Sequence, residues 1–149
     1  MKTLKMAKNI ILFVIAIVVT SSCMAAGTWT KSYQAGTYEF MVEKQDLRLL
    51  VTCQTANNNP DTMSTISLYR MSTGKTIGKF QIVANGNTYN GPVDSESRAG
   101  ANNFKGLMAD LRKGDSVVNY ALGSVTMPKE GASRVIPVAG DKFPCQTSF

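Results

Sequence analysis

Past residue 27 the chain alternates apolar and polar side chains with a period of two, the repeat of a strand with one buried face. Tyr38, Phe40 and Val42 share one side of TYEFMV. Leu47, Leu49, Val51 and Cys53 share one side of LRLLVTCQT, opposite Arg48, Thr52 and Gln54. The polar EKQD between these runs, residues 43–46, predicts a hairpin with a four-residue connection. ANNNPD, residues 56–61, is a loop by composition, because Pro60 has no N–H for a sheet ladder. Next, STISLYRM places Ile66 and Leu68 in phase, STGK turns the chain, and TIGKFQIVA aligns Phe80, Ile82 and Ala84. Asn85–Gly86 is the strongest short hairpin signal, since a type I′ turn needs positive φ at both positions. NTYNGPV is the returning strand.

DSESRAGANN, residues 94–103, holds no apolar side chain larger than alanine and reads as a long solvated loop. The period then changes. Phe104, Leu107, Met108 and Leu111 fall at i, i+3, i+4 and i+7 and predict a helix over residues 103–113. Asn102 or Asn103 would cap its start, Arg112 and Lys113 would lie in its last turn, and Gly114 would end it. Gly106 inside it costs up to about 1 kcal/mol against alanine, so this helix needs a packing partner. DSVVNYALGSVTM returns to strand with Val118, Tyr120 and Leu122 in phase. PKEGAS is a turn, and RVIPV is a last strand that Pro137 confines to an edge. Trp29 is placed as a lid on the edge of the fold. With no repeat, linker or low-complexity tract, the expected fold is mainly β (α+β): one antiparallel sandwich-like or strongly curved sheet with one amphipathic helix packed on it.

The chain's start has a different pattern. Lys2, Lys5 and Lys8 precede ten unbroken apolar residues, Ile10 to Val19, and the small and polar TSSCMAAG follows. These are the three parts of a secretory signal peptide, and ten residues fall short of the roughly 20 that a spanning helix needs. Residues 1–26 are expected to be cleaved, by a cut before Ala26 or Gly27, leaving residues 27–149 as one exported β-rich domain. Lipoprotein processing would instead cut before Cys23 and acylate it. The leucine usually found three residues ahead of such a cysteine is missing here, where Thr20, Ser21 and Ser22 stand.

Processing changes the charge. The full chain is +6, from 16 basic and 10 acidic residues. Three of the lysines and none of the acids lie in the leader, so the remainder carries +3. Those positives are scattered among acids, whereas a nucleic-acid footprint clusters, so no nucleic-acid partner is expected. Once Cys23 is removed or acylated, two cysteines remain, Cys53 and Cys145. An even pair in an exported chain predicts a disulfide, here tying an early strand to the C-terminal tail. The chain has no Asn-x-Ser/Thr sequon, which favours a bacterial periplasm or surface over a eukaryotic secretory route.

Candidate chemistry is sparse. Histidine is absent, which removes Ser-His-Asp and Cys-His nucleophile systems and histidine metal sites. MSTGK, residues 71–75, lacks the upstream glycine of a phosphate-binding loop and reads as a hairpin turn. Glu39 with Glu43, Asp94 with Glu96, and Ser72 with Lys75 are paired groups of the kinds that hydrolysis or calcium binding uses. A domain of this size offers no evident substrate cleft for them. No catalytic residue, metal or cofactor is therefore expected. Recognition residues concentrate on loops held by a rigid scaffold. Tyr89, Asp94, Glu96 and Arg98 are the candidate partner-binding residues, with ANNNPD a second candidate loop. The expectation is a non-catalytic binding protein of the cell envelope, periplasmic or secreted, that engages another protein in an inhibitor, immunity or accessory role. Its alternatives are a surface lipoprotein or structural component of the outer membrane, held to it only by a lipid on Cys23, and a small secreted hydrolase.

Overall fold

A computed structural model describes residues 27–55, 63–140 and 142–148. The expected leader with Cys23 and the ANNNPD loop lie outside the described residues. The rest forms two antiparallel sheets. The first runs in the order β1 (Thr30–Gln34), β2 (Thr37–Lys44), β3 (Leu47–Gln54), β4 (Thr65–Arg70) and β5 (Lys75–Thr76). The second contains β6 (Phe80–Ala84) and β7 (Asn87–Gly91), followed along the chain by β8 (Val93–Asp94), which crosses back to pair with β4 of the first sheet. Helix α1 (Arg98–Leu111) comes next, then β9 (Ser116–Tyr120), β10 (Gly123–Met127) and the short α2 (Ala132–Val135). The second sheet is ordered β10-β9-β6-β7.

The two-residue alternation builds this core directly. Phe40, Val42, Leu49, Val51, Ile66 and Leu68 bury the inner face of the first sheet, and Phe80, Ile82, Val118, Val125 and Met127 that of the second. A third wall comes from α1, whose Phe104, Leu107, Met108 and Leu111 are buried as their spacing predicts. The sandwich-like fold with a docked helix is therefore present. Asn85 and Gly86 have φ of 50° and 81°, the pair of positive values that a type I′ turn requires. Trp29 closes one edge. It is 3% exposed, and its indole N–H donates to the Pro128 carbonyl at 3.0 Å.

Several boundaries differ from expectation. Lys44 pairs with Leu47, so the first hairpin turns through Gln45 and Asp46 alone, with Gln45 at φ 53°. Residues 94–103 are not a loop: α1 already starts at Arg98, and its cap is Ser97, whose hydroxyl accepts the Gly100 N–H at 2.9 Å. Ala99, Gly100 and Ala101 are too small to register as an amphipathic face, although Ala101 is fully buried. Gly114 stands beyond the Arg112 cap and is not among the glycines with positive φ. DSVVNYALGSVTM is two strands. Tyr120 pairs with Gly123, which puts Leu122 in the turn, 75% exposed, and shifts the buried positions to Val125 and Met127. RVIPV is no strand either. Gly131, at φ 82°, starts α2, the Ile136 N–H donates to the Ala132 carbonyl, and Pro137 prevents any continuation.

Candidate functional site

The sulfurs of Cys53 and Cys145 are at bonding distance, 2.13 Å, across 92 residues of chain. Hydrogen bonds spread outward from this bridge. Next to Cys145, Gln146 gives its N–H to the Gln54 carbonyl and accepts the Ser64 N–H on its own carbonyl. Ser64 in turn accepts the Gln54 N–H on its hydroxyl at 3.1 Å. The fully buried Ser95 reaches into this cluster. Its hydroxyl lies 2.9 Å from the Ser64 carbonyl and 3.3 Å from that of Gln146, while its own carbonyl accepts the Ser148 N–H at 3.1 Å. The disulfide, the tail and the ends of β3 and β4 thus form one clasp under Ser95.

Above the clasp stand three of the four predicted recognition residues. Asp94, Glu96 and Arg98 are exposed around the buried Ser95. The Asp94 carboxylate accepts the Glu96 N–H at 3.1 Å, and the Ser97 cap then leads into α1. Tyr89 is elsewhere. Its hydroxyl donates to Asp110 at 2.6 Å and lies against Gly106, about 12 Å along the helix axis from Arg98. A Cβ at Gly106 would come within 3.2 Å of the phenol oxygen, a tight contact.

Asp110 is 4% exposed and is the centre of a polar network that sequence reasoning missed. Beyond Tyr89, it accepts from the Asn87 amide at 2.7 Å, the Asn85 amide at 3.1 Å and the Lys113 ammonium at 3.2 Å. Burial opposes its charge, but these donors outweigh burial and hold the carboxyl down at about 2. Burial, then the bond to Asp110, pushes the Tyr89 phenol up to about 12. The network ties the β6–β7 turn to the end of α1. Its only signal in the sequence is the amide-rich NGN turn.

The pairs considered for hydrolysis are engaged locally. Glu43 forms an ion pair with Arg48, Glu39 accepts from Ser32 at 3.2 Å, and Ser72 donates its hydroxyl to Asp46 at 2.6 Å. The Ser72 hydroxyl and N–H hold the Asp46 carboxyl below its usual range.

A second surface emerges from strand register. On the outer face of the second sheet, Asn90, Gln81, Asn119 and Ser124 lie side by side across all four strands. Thr88, Val83, Val117 and Thr126 form the adjoining row. These eight positions carry no charge, whereas the outer face of the first sheet carries Glu39, Glu43 and Arg48. At the end of the uncharged face an open groove of about 520 Å³ is lined by Lys79, Gln81, Asn90, Asn119 and Ala121. The Gln81 amide donates to Asn90 at 3.0 Å. On the inner face the buried Phe80 ring packs over Gly91, where a Cβ would fall 2.2 Å from it. Among the described residues no helix is long and apolar enough to cross a membrane.

Compared with known proteins, residues 27–136 match the YfjT family, whose description is that name alone. No curated protein and no solved structure matches the chain.

Proposed function

We propose that this chain, which belongs to the YfjT family, is exported, loses residues 1–26, and works in the periplasm or outside the cell as a non-catalytic binding protein. Its partner is another protein, engaged through Asp94, Glu96 and Arg98 in an inhibitor, immunity or accessory role. The observation that carries this reading is the clasp. A disulfide closed between Cys53 and Cys145 suits an oxidising compartment, and the bonds radiating from it hold Ser95 still beneath three exposed polar side chains. Pre-ordering of this kind lowers the entropy cost of docking. The family match also begins at residue 27, just past the expected leader.

Replacing Glu96 and Arg98 together by alanine tests the assignment, because both side chains are exposed. Cross-linking in intact cells should capture a partner with the native protein and lose it with Glu96→Ala/Arg98→Ala, at an unchanged melting temperature. Equal capture by the two would refute the role of this segment.

One observation favours a second reading, a surface lipoprotein. The chain has three cysteines, and the closed pair uses two, leaving Cys23 for acylation. Incorporation of labelled palmitate that is abolished by Cys23→Ser would establish it. No incorporation would leave soluble export.

A further inference from the structure

We propose that the open edge of β1 pairs with the same edge of a second copy of this chain, joining two first sheets into one antiparallel sheet about a two-fold axis at Ser32. This edge is distinct from the Asp94–Arg98 segment, and the inference does not rest on the protein partner proposed there.

Backbone direction carries it. The Thr55 N–H donates to the Gly36 carbonyl on the β3 side of β2, so the alternate residues Thr37, Glu39 and Met41 turn their backbone groups toward Gln34, Ser32 and Thr30 of β1. Lys31 and Tyr33, one step out of phase, then point their N–H and C=O groups away from the sheet. Trp29 has the same orientation, and its N–H donates to the Glu130 carbonyl at 2.7 Å. The edge left open is therefore Thr30–Gln34, which has room for a strand of five residues. A row of unpaired backbone groups is matched by another extended chain.

The strand that fits is β1 itself. Antiparallel pairing about Ser32 sets Lys31 of each copy opposite Tyr33 of the other, and each such pair exchanges two backbone hydrogen bonds. The Lys31 ammonium already lies 4.3 Å from the centre of its own Tyr38 ring, and Tyr33, 59% exposed, stacks on Tyr38 at 4.5 Å. Pairing brings each ammonium beside a second ring, that of Tyr33 of the other copy, which attracts it. Lysine blunts an edge when it projects past the strand, but here it is folded back over Tyr38 and leaves the edge accessible. On the other face Thr30 meets Gln34 and Ser32 meets its own counterpart, so no like charges come opposite each other.

The test uses the processed, oxidised protein. Sedimentation equilibrium over a wide concentration range should show monomer and dimer, with nothing larger. Tyr33→Pro removes an edge N–H while keeping the bonds of β1 to β2, and should weaken the dimer at least about tenfold. Ser32→Cys should form an interchain disulfide in a glutathione redox buffer, because each Cα would lie about 4.5 Å from its counterpart. Thr30→Cys and Gln34→Cys, whose counterparts are far apart, should not. Glu96→Ala/Arg98→Ala should dimerise as the native protein does, so this inference and the protein-partner reading fail separately. The proposal is overturned if the native protein stays monomeric and Ser32→Cys stays unlinked. It is also overturned if Thr30→Cys or Gln34→Cys cross-links as readily as Ser32→Cys, or if Tyr33→Pro dimerises undiminished. A monomeric native protein whose capture of a different protein is lost in Tyr33→Pro would equally overturn it, since the edge would then take a foreign strand.

Discussion

Among the described residues, Asp110 is a buried carboxylate on which four donors converge. Its carboxyl is held at about 2 in the folded protein and returns to roughly 3.9 on unfolding. A carboxyl depressed by folding contributes stability that is fully present above the unfolded value and is lost as pH falls through the folded one. The contribution of Asp110 should therefore hold at pH 7 and disappear between about pH 4 and pH 2. Asp110→Asn turns an acceptor facing four donors into a group with an N–H₂ of its own, and should cost about 1–3 kcal/mol at pH 7. Urea denaturation of both proteins at pH 7, 4 and 2 checks this, since the gap between them should narrow as pH falls. A gap independent of pH would mean that hydrogen-bond geometry, not charge, is what Asp110 supplies. Tyr89 shows the limit of reading single residues. As an aromatic beside a polar segment it looks like a recognition residue, but its partner Asp110 lies 21 positions on, brought near only by the docking of α1.

At the scale of elements, α1 depends on its first turn. Ser97 caps it from a β conformation, and the helix has no acid in its first turn to support the cap. Ser97→Ala should destabilise the protein by about 1 kcal/mol, seen as a lower urea midpoint with an unchanged slope. Asn102→Ala, at the position where the apolar pattern alone puts the cap, should have almost no effect. These two variants also show which signals the sequence carries. Phe104, Leu107, Met108 and Leu111 announce a helix because large side chains reveal a 3.6-residue period, whereas Ala99, Gly100 and Ala101 conceal the turn before it. Strands β2, β3, β4 and β6 were readable for the same reason, their buried sides being bulky, whereas the two exposed residues of β5 were read as part of a turn and of the strand after it. The β9–β10 hairpin was not, because Ala121–Leu122 is no turn signature and Val118, Tyr120 and Leu122 continue an unbroken alternation through it. Nor was α2, where the β-branched RVI of RVIPV suggests a strand and Gly131 and Pro137 set a helical turn instead. Of the candidate site, the pairing of Cys53 with Cys145 was legible, as was the polar character of the exposed segment from Asp94 to Arg98. The clasp beneath that segment was not, since Ser64, Ser95 and Gln146 are ordinary polar residues until the tail is folded back.

For the molecule as a whole, the disulfide connects the fold with the compartment and the recognition segment proposed for it. Closing a loop of 92 residues is worth roughly 4–5 kcal/mol in the chain-entropy model. Cys53→Ser/Cys145→Ser should lose about 2–5 kcal/mol of stability, and amide exchange should rise at residues 94–98 and 146–148 before it rises in β2 or β3. Uniform loss of protection would mean that the clasp is not a local support. The central claim, a protein exported, trimmed and then stapled, is tested most directly by the intact mass of native material before and after reduction. The account predicts a chain beginning at residue 26 or 27 that gains about 2 Da on reduction, the two hydrogens of one bridge. A chain still carrying its first 26 residues, with Cys53 and Cys145 both free to react with an alkylating agent, would contradict it.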